Sequence, residues 1–285
     1  MKRMFFSLLV MIFGAGALNA NMMIAPTKME AKLDRTRTES FILVNKYKEP
    51  AKIEILAVPE NNFVSVPLIK DGFAKYDLSP YMKVSPKVVK LQPEKGRTIR
   101  VSVVPTKELK AEPGDYVARV LFKTLERNLT PKKQKEKAET VSMKINFLFN
   151  VTIPAYGTVG SGQPALKAYC FTENKKPVVG LINTAAFRYE GNAEFYNVSD
   201  DTTKVTKLFT TDMSVFREAS RTYEVESKGA LNTKDKYTLK LINGTDPKTQ
   251  KAYTFTCSFK DSKNMFLEAV EKAGEELKAK KVKKS

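Results

Sequence analysis

The chain contains no histidine. Its absence removes both His-based catalytic triads and the commonest side-chain metal ligand. Only two cysteines are present, Cys170 and Cys257. There is no phosphate-cradling glycine loop, no dinucleotide fingerprint and no Gly-x-Ser-x-Gly elbow. Gly160-Ser161-Gly162 lies in a glycine-rich stretch and lacks the strand–turn–helix context of a nucleophile elbow. Carboxylate pairs occur at chance spacing and mark no acid–base couple. The sequence points to a non-enzymatic protein without cofactor or metal site.

Acidic residues are scarce relative to basic ones, 31 Asp and Glu against 49 Lys and Arg, for a net charge of +18. The lysines are scattered, or gathered in Arg127–Lys144 and Lys272–Lys284, without the interleaved aromatics of a single-strand binding platform. Nucleic acid is therefore not an expected partner. The charge suits solubility, with a weak contact between the basic C-terminal tail and an acidic protein or anionic membrane surface.

Long apolar runs are missing as well. At the start, Lys2 and Arg3 precede an apolar run from Met4 to Phe13 and small residues ending at Ala20. This reads as a secretory signal peptide over residues 1–20, with an uncleaved anchor as the alternative. Two cysteines in an oxidising compartment predict a Cys170–Cys257 disulfide, the alternative being two separate buried thiols. Such a bridge would close a loop of roughly 90 residues, worth about 4–5 kcal/mol.

What the chain does have is β pattern. Val141, Met143, Ile145, Phe147, Phe149, Val151 and Ile153 fall at every second position, and a strand places such a series on one face. The intervening positions are more polar, with Leu148 the bulky exception. About thirteen residues of this alternation, closed by Pro154, exceeds the usual roughly 5–6 of a strand. Either both halves are buried in the fold, or one half is an apolar edge offered to another chain. Seven or more short strands separated by Pro, Gly and Asp turns precede its end, the spacing of a β-sandwich. Residues 156–164 read as an interdomain linker, and a second strand series fills 165–260 with the cysteines in its first and last runs. Residues 261–285 form an amphipathic helix and Lys-rich tail, with Met265, Phe266, Ala269, Val270, Ala273 and Leu277 at helical spacing.

Several groups in residues 21–155 together resemble a known family. They are Ala25-Pro26-Thr27-Lys28, Phe41-Ile-Leu-Val-Asn45, Val84-Ser-Pro86, Leu91-Gln-Pro93, Gly96-Arg-Thr-Ile-Arg-Val101, Pro113-Gly-Asp-Tyr116 and the long strand closing on Ile153-Pro154. Their order and spacing are similar to the first domain of the periplasmic pilus-assembly chaperones, the immunoglobulin-like donor-strand family. The resemblance implies an all-β fold of two immunoglobulin-like β-sandwich domains, with this chain's C-terminal amphipathic helix added. It further implies a periplasmic location, fibre subunits as partners and an outer-membrane usher as a further one. In that family the long strand lends alternate apolar side chains to an incomplete subunit, a form of β-augmentation. Here that ladder would be Val141, Met143, Ile145, Phe147 and Phe149, with Val151 and Ile153 kept in the core. The family also anchors its client's terminal carboxylate with two basic cleft residues. Lys28 stands where the first, an arginine, usually sits, and the second has no counterpart. The rival expectation is a structural or adaptor protein of the cell envelope built on the same sandwiches.

Overall fold

The structure is a computed structural model that describes residues 22–60, 65–70, 72–127, 148, 150–197, 207–226, 231, 235–244, 250–260 and 262–283. Residues 1–21, where the signal peptide is expected, lie outside that set, as do Val141, Met143, Ile145, Phe147 and Phe149.

In the first sandwich one sheet has the order β1-β3-β8-β6, formed by β1 (Met22–Ala25), β3 (Arg37–Asn45), β8 (Gly96–Val103) and β6 (Met82–Ser85). The facing sheet runs β2-β10-β9-β4-β7, from β2 (Met29–Lys32), β10 (Asn150–Val159), β9 (Gly114–Arg127), β4 (Ala51–Val58) and β7 (Val88–Leu91). Alternating apolar positions fill the space between them. Phe41 of β3 and Phe122 of β9, both fully buried, meet edge to face at 6.2 Å. The Ala25-Pro26 step does what a proline in a strand suggests: β1 pairs with β3 in one sheet, then the chain crosses and β2 runs parallel to β10 in the other.

The strand that closes the first domain is longer at its C-terminal end than expected. It passes through Pro154 to Val159, so Tyr156–Val159 belongs to β10 and not to the linker predicted at 156–164. A proline is tolerated there because β2 begins to pair only at Ala155, so that among the described residues no strand needs an N–H from the outer side of Pro154. The small residues read as linker are packing choices. A Cβ on Gly157 would lie 2.6 Å from Cδ1 of Leu33.

The second sandwich pairs a sheet of order β14-β13-β16-β17 with one of order β11-β12-β15-β5. The first is built from β13 (Tyr189–Asn197), β14 (Lys207–Val215), β16 (Lys236–Asn243) and β17 (Lys251–Ser258). The other comprises β11 (Leu166–Glu173), β12 (Lys176–Asn183), β15 (Ala219–Glu224) and β5 (Val66–Pro67), the last a donation from the first domain. Helix α1 (Lys107–Ala111), capped by the Thr106 side chain, is too short to show a helical period in sequence. Helix α2 (Lys263–Val282) lies where the amphipathic pattern placed it, its Phe266, Ala273 and Leu277 buried against Phe171, Val178 and Ile182. This explains β12's unbroken apolar run: Val179 and Leu181 face the sandwich interior, while Val178 and Ile182 face α2.

Each sandwich has a buried asparagine at the end of a long strand, Asn45 on β3 and Asn183 on β12. Asn45 donates to the carbonyls of Glu49 and Leu91 and accepts from Tyr47 N–H. Asn183 donates to Phe187 and Phe216 and accepts from Ala165 and Ala185 N–H. Cys170 of β11 and Cys257 of β17 are joined across the two sheets, with Cα atoms 5.2 Å apart. Because the bridge spans 87 positions, replacing both cysteines with serine should lower stability by about 4–5 kcal/mol, measured as urea unfolding under oxidising conditions.

Candidate functional site

Two features of the described structure bear on recognition, the outer edge of β10 and the cleft between the sandwiches. Along β10 the inner ladder is antiparallel to β9 from Asn150 to Val159. On the outer side β2 pairs only Ala155–Thr158. From Asn150 to Pro154 that outer edge carries no strand among the described residues. The side chains follow the alternation read from the sequence: Ile153 and Ala155 are buried, Val151 packs partly on the core, and Leu148, of opposite parity, is 52% exposed. The upstream apolar alternation, Val141, Met143, Ile145, Phe147 and Phe149, precedes β10 in the sequence and lies outside the described residues.

The cleft has a volume of about 710 Å³ and draws its walls from both domains, with Lys28, Glu30 and Asp115 on one side and Arg188, Glu190 and Arg221 on the other. Lys28 does lie there, half exposed, but it is already engaged. Its Nζ donates to Glu190 at 3.1 Å and sits 3.2 Å from Glu30. Burial works against the Lys28 ammonium, yet Glu190 and Glu30 outweigh it and hold its pKa above the ordinary lysine value. Arg188 was not anticipated from the sequence. It contacts Glu30 at 2.7 Å, Asp115 at 3.2 Å and Glu190 at 3.3 Å, and its guanidinium lies over the Tyr156 ring at 4.2 Å. Burial of Arg188 is offset by Asp115, Glu30 and Glu190, which keep it firmly charged.

Beside the cleft the interface is tied through Gly114-Asp115-Tyr116, residues that carried part of the family resemblance. The Asp115 carboxylate accepts from Thr158 Oγ1 at 2.5 Å and from Arg188 N–H at 2.6 Å. Its backbone carbonyl accepts from the fully buried Arg217 at 3.2 Å. Arg217 also reaches Glu112 at 3.2 Å and lies 3.6 Å over the Tyr76 ring. Gly114, at φ 136°, has no room for a side chain, since a Cβ would sit 2.5 Å from the Ala186 carbonyl. The sequence signal for this seat was the Pro-Gly-Asp-Tyr motif itself. Nothing in the pattern around β13 and β15 pointed to Arg188, Glu190 or Arg217, because Lys28, Glu30, Glu112 and Asp115, which engage them, come from the other domain.

Among the described residues, no group of three or more His, Cys, Asp or Glu side chains is arranged to hold a metal ion. No helix of the described chain is long and apolar enough to cross a membrane.

The Glu190 carboxyl feels two opposing influences: burial raises its pKa, while Arg188 and Lys28 together hold it below the ordinary value of 4.5. A depressed carboxyl pKa contributes stability that is complete above the unfolded value and fades as pH falls through the folded one. Stability should therefore decline on acidification below about pH 4.5. Glu190→Gln should be less stable than the parent at pH 7 and show a shallower acid limb in urea midpoints taken across pH. Equal limbs would mean the cleft ion pairs do not couple to folding.

No family model and no curated protein matches this chain by sequence. Solved structures similar to it include the CsuC chaperone of the archaic Csu pili of Acinetobacter baumannii, in complex with its tip subunit CsuE, at 14% identity and TM-score 0.46, over 85% of this chain and 100% of the other. The YadV chaperone follows at 15% identity and TM-score 0.46, over 83% and 99%. A chaperone–tip adhesin complex of CFA/I fimbriae biogenesis gives 16% identity and TM-score 0.48, over 84% and 99%. Likeness at this level is a resemblance only, and the functional reading rests on the chain's own strands and cleft.

Proposed function

We propose that this chain is a non-enzymatic periplasmic chaperone that captures subunits of a surface fibre by lending them an apolar β-strand, for later delivery to an outer-membrane usher. One observation carries the reading: among the described residues no strand pairs the outer edge of β10 from Asn150 to Pro154, the stretch that the Val141–Ile153 alternation runs into along the sequence. Unpaired backbone donors and acceptors beside an alternating apolar face are what β-augmentation uses, the ladder giving affinity and the side chains giving register. Val141, Met143, Ile145, Phe147 and Phe149 would enter the client, while Val151 and Ile153 stay with the chaperone core. Burying each such side chain contributes about 1.5–3 kcal/mol before ordering costs, enough in sum for tight capture. Lys28 would take a secondary part, offering charge to a client carboxylate only by exchanging it for Glu190 or Glu30.

That engagement of Lys28 and Arg188 favours a second reading, an envelope adaptor on the same two sandwiches that holds one permanent partner and needs no carboxylate anchor. The two differ in one measurement. Ile145→Asp and Phe147→Asp should each weaken capture of the co-purifying subunit at least tenfold while circular dichroism stays that of the parent. An adaptor would keep its partner in both variants. Loss of the β spectrum would instead assign those side chains to the chain's own core and end the donor-strand reading.

A further inference from the structure

The segment Ser65–Ile69 leaves the first sandwich and lies along the edge of the second. Val66 pairs with Ser220 and Pro67 with Ala219, extending the sheet by one short strand. Leu68 N–H then donates to the Glu218 carbonyl at 3.0 Å. Helix α2 closes over this join. Leu68 is buried in one cluster with Phe266, Ala273 and Leu277 of the helix and Phe171, Val178 and Ile182 of the sheet. Two glycines permit the fit: a Cβ on Gly180 would strike the Phe266 ring at 2.6 Å, and one on Gly274 would come within 2.4 Å of the Leu68 carbonyl oxygen. At the far end of the helix, Lys281 reaches Glu218 of the second domain at 2.5 Å and the Tyr76 hydroxyl of the first at 3.0 Å. Tyr76 in turn donates to Glu218 at 2.8 Å.

We infer that α2 is a clasp that sets the angle between the two sandwiches, by trapping Leu68 of the first domain against the second and bonding Tyr76 at its tip. A helix serving only to cap the second sandwich would need Phe171, Val178 and Ile182, but neither a bare Gly274 facing a carbonyl of the other domain nor a lysine reaching across to Tyr76. The first domain contributes backbone pairing, an apolar anchor and a hydroxyl to the grip; the helix contributes the groove and the cation. Since the cleft takes its walls from both domains, α2, Leu68 and Tyr76 are positioning residues for whatever the cleft receives. The inference is independent of which polypeptide β10 serves.

The test is an interdomain distance distribution, measured by double electron–electron resonance on the full chain labelled at Thr98→Cys on β8 and Thr210→Cys on β14. Gly274→Val and Leu68→Ser should at least double the width of that distribution, and Lys281→Met should broaden it less. The amide spectrum of β13, β14, β16 and β17 should stay that of the parent, because the second sandwich keeps its own core and disulfide. Parental widths in all folded variants would overturn the clasp. Should Gly274→Val fail to fold, Leu68→Ser and Lys281→Met, which remove atoms without adding bulk, decide alone: broadening in both supports the clasp, and unchanged widths in both reject it.

Discussion

Asp115 is the point at which the two domains become one object. Its side chain is almost wholly removed from water yet stays saturated, accepting from Thr158, from the Arg188 backbone and from the Arg188 guanidinium. Its main chain serves the same boundary: the N–H donates to the Ala186 carbonyl and the carbonyl accepts from Arg217. A buried carboxylate without such partners would cost several kcal/mol. With them it becomes a directional lock, because every donor must arrive from a fixed position. The glycine before it allows the second domain's backbone to approach closely enough for those bonds to form.

Around that lock the apolar interior runs on from one domain into the other. Phe73 of the first domain meets Phe216 of the second edge to face at 5.5 Å, and Tyr76 meets Tyr116 at 6.1 Å beneath the Arg217 guanidinium. Charge and packing have divided the work. The apolar contacts supply area without direction, and the arginines supply direction without much area. Repetition is visible too: Asn45 at the end of β3 and Asn183 at the end of β12 do the same work, each donating to two backbone carbonyls distant from its own strand ladder.

The sequence was most informative where structure is local. Period-two alternation located β3, β4, β8, β9 and β10, and helical spacing located α2, because each is a one-dimensional signal imposed by a face turned to the core. The paired cysteines were legible from number and compartment. Legibility failed where a residue answers to something distant in the chain. Tyr156–Val159 looked like a linker because of Gly157, and a side chain there would run into Leu33 and Leu78. Val66 and Pro67 formed no recognisable strand because their partner lies some 150 positions away on β15. Lys28 lines the cleft, but its engagement by Glu190 could not be read from either segment alone.

The continuity of β10 through Pro154 has a mechanical consequence. The same ten-residue ribbon that begins at Asn150 finishes at Val159, immediately before Gly160, whose φ of 72° lies in the left-handed region. No slack loop intervenes between the two ends. A tug or twist applied at Asn150 is therefore borne by a laddered rod and delivered at the joint between the sandwiches, with Thr158 passing it sideways to Asp115. In this molecule one piece of backbone runs from the outer edge of the first sandwich to its seam with the second.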